Sequence, residues 1–301
     1  MVVVALALVV LGTACSGTSD GRALTDVDVA ETSSFQTAAE LQDQSQNETT
    51  ALQSWSFTDS ETASGMRYRI ASRGFGNGTL LLHLHGATQS WASLGADVEA
   101  LAAIIDRSST TDAVVIVAPH DRDGWSMWSD SADGSNDIAS LVLDDLVPQV
   151  EVEFGAGGSR DRRVLSGFSM GGFGAAALGL SDPSMWRAVG IWDGAMHTWA
   201  TLNEYRSHIA ARQFDNDAEH FAQWSPWSLA ERLAGTGAVP MFFVAHGSVP
   251  GFIEDYASHL RRHGFAVVEV DTNCSHNMIC LTGGAGADFM AVTFDSFTAG
   301  G

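Results

Sequence analysis

Residues 164–177 read VLSGFSMGGFGAAA, a β-branched opening that runs through Gly167-Phe168-Ser169-Met170-Gly171 into a stretch of small residues. A strand before and a helix after are the setting in which a G-x-S-x-G pentapeptide makes a sharp turn and exposes its serine at the end of a sheet. Glycines flank the serine because such a turn leaves little room for a Cβ. Ser169 is therefore the candidate nucleophile. A serine hydroxyl is weakly nucleophilic at neutral pH, so it needs a base and a place for negative charge. Two backbone amides can supply that place: Met170 at the helix start, and Ala87 in the loop after LLHLHGAT.

Outward from this turn, short β-branched runs alternate with helix-periodic segments. Strands are expected over 67–72, 79–85, 113–118, 163–166, 188–192, 240–245 and 266–271, and helices over 91–107, 138–154, 171–180 and 253–263. Alternation of this kind implies crossover connections and a mostly parallel sheet. The runs LLLHLH, AVVIVA and MFFVA are almost continuously apolar, as strands are when helices cover both faces. One connection breaks the rhythm. Residues 193–237 are too long for an ordinary loop and hold Trp199, Trp224 and Trp227, so a cap insertion is expected at about 194–237.

The chain has 301 residues, 45% of them apolar, enough for a sizeable α/β core. Its net charge is -21, and all 15 of its basic residues are arginines. A surface of that sign repels nucleic acid and anionic membranes, and nucleic acid is excluded as a partner. The first eleven residues, MVVVALALVVL, are too short to span a bilayer but suit a signal-peptide core. GTACSG follows and resembles a bacterial lipoprotein cleavage site, which implies a lipidated Cys15 as membrane attachment. Residues 1–15 are thus expected to be a signal segment and 16–50, rich in Ser, Thr, Gln and acids, a disordered tether. The folded domain is expected over 51–301. In an exported chain, Cys274 and Cys280, which flank His276 in NCSHNMICL, are expected to pair.

His83 and His85 form a His-x-His pair on one strand face, but no further ligand cluster accompanies them, so neither metal nor cofactor is expected. Trp125 and Trp128 follow the fourth strand, on the side where such folds bind ligands, and are candidate substrate-binding residues.

HLHG, APHDRDGWSMW and RRVLSGFSMGGFGAAALGLSDPSMWRAVG together resemble the esterase branch of the α/β-hydrolase superfamily, which includes esterase D-like enzymes, feruloyl esterases, polyhydroxyalkanoate depolymerases and mycolyltransferases. The resemblance covers about residues 80–276. It implies an α/β-hydrolase fold with an eight-stranded, mostly parallel sheet, helices on both faces and triad members in the order Ser, acid, His. His276 follows the last strand-like run where the family carries its base, with His246 as the rival. The acid departs from the family pattern: after MFFVA the chain reads HGSVPGF, with Pro250 where the carboxylate is usual. Asp193, at the end of the preceding strand, is the first candidate; Glu254 or Asp255 is the second. The expected activity is that of an exported serine ester hydrolase working through an acyl-enzyme on a small or polymer-linked ester. An acyltransferase of the same fold and an inactive surface-binding relative are the alternatives.

Overall fold

The apolar runs become the middle of a single sheet. In this computed structural model, described over residues 55–109, 113–236, 240–248 and 252–298, eight strands form: β1 (Ser56–Glu61), β2 (Arg67–Arg73), β3 (Thr79–Leu84), β4 (Val114–Pro119), β5 (Arg163–Phe168), β6 (Ala188–Trp192), β7 (Met241–Gly247) and β8 (Val267–Cys274). The expected signal segment with Cys15, the tether and Pro250 lie outside the described residues.

The strand order is β1-β2-β4-β3-β5-β6-β7-β8. β1 and β2 pair antiparallel, as do β2 and β4; all other pairings are parallel. The helices are α1 (Trp91–Arg107), α2 (Ile138–Ser140), α3 (Val147–Phe154), α4 (Met170–Ser181), α5 (Trp199–Phe214), α6 (Ala218–Trp224), α7 (Pro226–Leu233), α8 (Phe252–Arg262), α9 (Met278–Leu281) and α10 (Gly284–Thr298). β3 leads through α1 to β4 on one side, and β5 leads through α4 to β6 on the other. The neighbouring carboxyl ends of β3 and β5 thus form the switch point at which open α/β sheets bind ligands.

Side chains alternate across the sheet as the period of two requires. Leu80, Leu82 and Leu84 pack in one core with Phe173 and Ala176 of α4, while Leu81, Ile116 and Val164 pack in the other with Leu94, Leu101 and Ile105 of α1. Burying these branched side chains on both faces is worth about 1.5–3 kcal/mol each. Several elements differ from the sequence reading. Strand β1, SFTDSE, is an exposed edge held by backbone pairing to β2, so it carries no apolar alternation. The expected helix over 138–154 is interrupted by a π-helical stretch, Leu141–Leu146, and α10 had no counterpart in it. Between β6 and β7 the long connection folds into α5, α6 and α7.

Candidate active site

The elbow is built by close backbone approach. Ser169 sits at φ 55°, ψ −115° between β5 and α4, a strained conformation for a residue with a side chain. Its N–H donates to the Trp192 carbonyl at 3.0 Å and its own carbonyl accepts from Ala195 at 2.9 Å, so the end of β6 holds the turn from both sides. A Cβ on Gly171 would lie 1.9 Å from the Leu84 carbonyl oxygen, which is why glycine follows the turn where α4 presses on β3.

His276 lies in the loop between β8 and α9, bracketed by the Cys274–Cys280 disulfide. Its Nε2 is 2.8 Å from Ser169 Oγ and its Nδ1 is 2.7 Å from Asp193 Oδ2. The carboxylate can only accept, so Nδ1 carries the proton and Nε2 is left to take one from the serine. The His276 ring stands against Phe168, centroids 4.7 Å apart and planes 32° from parallel. Asp193 is wholly buried, with φ 43° directly after β6. Its N–H donates to the Ala245 carbonyl at 2.8 Å, and its Oδ1 accepts from the Gly247 amide at 3.0 Å. The second candidates stand elsewhere. Glu254 and Asp255 are exposed on α8, and Glu254 lines a separate cavity with His246, which contacts Glu269 at 2.5 Å.

Ala87 and Met170 both line the cavity at Ser169, and neither backbone N–H has a protein acceptor among the described residues. The loop carrying Ala87 is held on both sides. Gly86 N–H donates to Gln89 Oε1 at 3.0 Å, Thr88 N–H to the Gly124 carbonyl at 2.9 Å, and Gln89 Nε2 to the buried Asp97 Oδ2 at 2.5 Å. Fixed donors of this kind stabilise an oxyanion without having to reorganise as its charge develops.

The cavity of about 600 Å³ is walled by apolar side chains including Trp125, Met127, Ile209, Met278 and Ile279. Trp125 stands in that wall, edge-on to His208. Trp128, a candidate substrate contact in the sequence, does not line it. The ring is fully buried, and its Nε1 donates to the His85 carbonyl at 3.1 Å, so Trp128 is core. The His-x-His pair is likewise internal. His83 Nδ1 contacts Ser166 Oγ at 2.9 Å; His85 Nδ1 donates to the Gly86 carbonyl at 2.7 Å, and its Nε2 accepts from the Asp121 amide at 3.2 Å. His85, His120 and Asp121 lie close enough to surround an ion. Asp121, however, already accepts from the amides of Gly124 and Ser126 and from Ser126 Oγ, which makes it a loop brace.

Sequence reasoning passed over Gly247, Phe168 and the Gln89–Asp97 pair. Gly247 left a visible trace, the HG dipeptide closing MFFVAHG; the other partnerships depend on tertiary contact.

A family model described as "Putative esterase" matches residues 74–258. No curated protein matches the chain. Among solved structures, the fluorophosphonate-binding serine hydrolase FphF of Staphylococcus aureus superposes with a TM-score of 0.63 at 14% identity, over 80% of this chain and 97% of that one. An S-formylglutathione hydrolase from Agrobacterium tumefaciens gives 0.59 at 14% identity, over 81% and 94%. A ferulic acid esterase gives 0.58 at 18%, over 80% and 95%. These likenesses establish the α/β-hydrolase fold.

Proposed function

The chain belongs to the Esterase family, and we propose that it hydrolyses carboxylic esters through a Ser169–His276–Asp193 triad and an acyl-enzyme, outside the cytoplasm. The observation that carries this reading is the unbroken chain of contacts, Ser169 Oγ to His276 Nε2 at 2.8 Å and His276 Nδ1 to Asp193 Oδ2 at 2.7 Å. Ser169 Oγ attacks the ester carbonyl while His276 Nε2 takes its proton. The Ala87 and Met170 amides receive the oxyanion. The imidazolium, stabilised by Asp193, then protonates the departing alcohol. Water repeats the sequence on the acyl-enzyme and frees the acid.

The missing carboxylate after the seventh strand leaves room for an inactive relative, and the Asp193 carboxylate on His276 supports the active reading instead. The Cys274–Cys280 disulfide supports an oxidising compartment. Incubating the protein with p-nitrophenyl, feruloyl and acetyl-sugar esters tests the reaction, and mass spectrometry of the quenched mixture tests the intermediate. Turnover with an acyl adduct on Ser169 is expected. Turnover that survives Ser169→Ala unchanged would reject the assignment.

A further inference from the structure

The cap helix α5 starts cleanly, with Thr198 and Thr201 capping each other's amides, and then leaves helical geometry at Arg206 (φ −146°, ψ 44°). Arg206 lines the Ser169 cavity and is the one permanently charged cation among its lining residues. Arg69, Arg73, Arg107, Arg163, Arg212 and Arg261 each hold a carboxylate. Arg206, like Arg122, Arg162 and Arg232, has no carboxylate partner among the described residues, but unlike them it lines the Ser169 cavity. Its Nη1 donates to the Tyr205 carbonyl at 2.9 Å. A guanidinium has five N–H donors, and Arg206 is exposed, so its remaining donors are open to solvent where it lines the cavity.

The rest of the cavity offers Arg206 no internal counter-charge. Asp97, the one carboxylate in the lining, is buried and bound to Gln89. His197, also in the lining, is pushed down to about 4 by burial and by the Arg206 charge, so near neutrality it is uncharged and adds no cation beside Arg206. The net charge of -21 repels anions at long range, so a local cation on the wall of the site stands against the field of the whole chain.

Resting on Ser169 as nucleophile, we infer that Arg206 recognises a second, anionic carboxylate on the substrate: the enzyme acts on half-esters of dicarboxylic acids or esters of hydroxy acids. The guanidinium takes the free carboxylate through paired N–H···O bonds while the ester carbonyl lies between Ser169 and the Ala87 and Met170 amides, and the apolar wall of Trp125, Met127 and Ile209 covers the carbon chain.

The test compares kcat/KM for matched anionic and neutral esters at neutral pH by proton release. Monomethyl adipate against methyl hexanoate places the carboxylate on the acyl side. The acetate ester of γ-hydroxybutyrate against butyl acetate places it on the alcohol side. In at least one pair, Arg206→Gln should lower the anionic-to-neutral ratio about tenfold, mainly through KM, and Arg206→Lys should restore most of it. Ratios indifferent to residue 206 in both pairs, with neutral esters still turned over, would overturn the inference and leave the esterase reading intact. A wild-type protein that hydrolyses none of the four but turns over p-nitrophenyl, feruloyl or acetyl-sugar esters would overturn the inference alone, and one that turns over no ester at all would overturn both.

Discussion

The carboxyl ends of β6 and β7 lie side by side in the sheet, and they divide the support of one histidine unequally. β6 delivers a buried carboxylate: Asp193 turns out of the strand at φ 43° and reaches His276 Nδ1. β7, where the resemblance puts the acid, delivers a glycine amide that donates to that same carboxylate at 3.0 Å. The role of triad acid is a distance condition on Nδ1, and here the end of β6 meets it. The strand that does not supply the acid shapes the space for it instead. A Cβ on Gly247 would lie 2.4 Å from Asp193 Oδ2, so a side chain there and the carboxylate cannot both keep their places.

Loss of the nucleophile sets the floor for any test of this arrangement. Ser169→Ala should cut kcat by about six orders of magnitude and abolish covalent labelling by a fluorophosphonate. Wild-type protein that turns over esters yet stays unlabelled at Ser169 would remove the site from this pair of strand ends altogether. Next in size, Asp193→Asn should keep the fold and lower kcat by about four orders of magnitude, because the amide favours the wrong imidazole tautomer. Glu254→Gln and Asp255→Asn should change kcat less than about twofold, since exposed positions remote from the site rarely matter. A larger loss from either α8 variant than from Asp193→Asn would reverse the roles of the two strand ends.

The elbow and its histidine were legible in the sequence for different reasons. A strand that must turn sharply and then pack tightly can do so only with small residues, and Gly167, Gly171 and Gly172 are the visible trace of that constraint. His276 stood out through chain order and its bracketing cysteines. The acid was legible only as a short set of candidates, because the register of β6 against β7, Trp192 beside Ala245, is what separates them. Trp125 and Trp128 read alike as aromatic residues after a strand; one lines the cavity and the other fills the core, a difference decided by which way the loop turns. Strand β1 has no apolar pattern because its exposed edge needs none. The break of α5 at Arg206 left no proline or glycine to announce it.

β7 can be altered while every triad residue stays in place. Gly247→Ala adds one methyl where Asp193 Oδ2 now lies 2.4 Å away, so the carboxylate must shift relative to His276 Nδ1. A misplacement near 1 Å costs about a hundredfold in rate, and kcat should fall by about ten- to a hundredfold with KM little changed. Thermal denaturation checks that the sheet survives. An unchanged kcat in a stably folded variant would mean that the acid tolerates displacement, and the tight fit of the two strand ends would then serve packing rather than chemistry.

A smaller loss than that of Gly247→Ala is expected on the side of the site that faces these strand ends. Asp193 is placed by strand geometry and a backbone amide, whereas His276 rides on a short loop tied by the Cys274–Cys280 bond, whose cysteines are six residues apart in sequence. Closing so short a loop restricts the unfolded chain by about 2 kcal/mol at most, so reduction removes too little stability to unfold an eight-stranded sheet. It does free the loop to sample positions in which Nε2 no longer faces Ser169. The Phe168 ring, with its centroid 4.7 Å away, still limits that freedom. Reduction should therefore lower kcat by about three- to tenfold while far-ultraviolet circular dichroism stays constant, and reoxidation should restore the rate. Equal rates for oxidised and reduced protein would show that Asp193 and Phe168 alone hold the imidazole. Unfolding at the first loss of the bond would show that the bond braces β8 rather than the histidine.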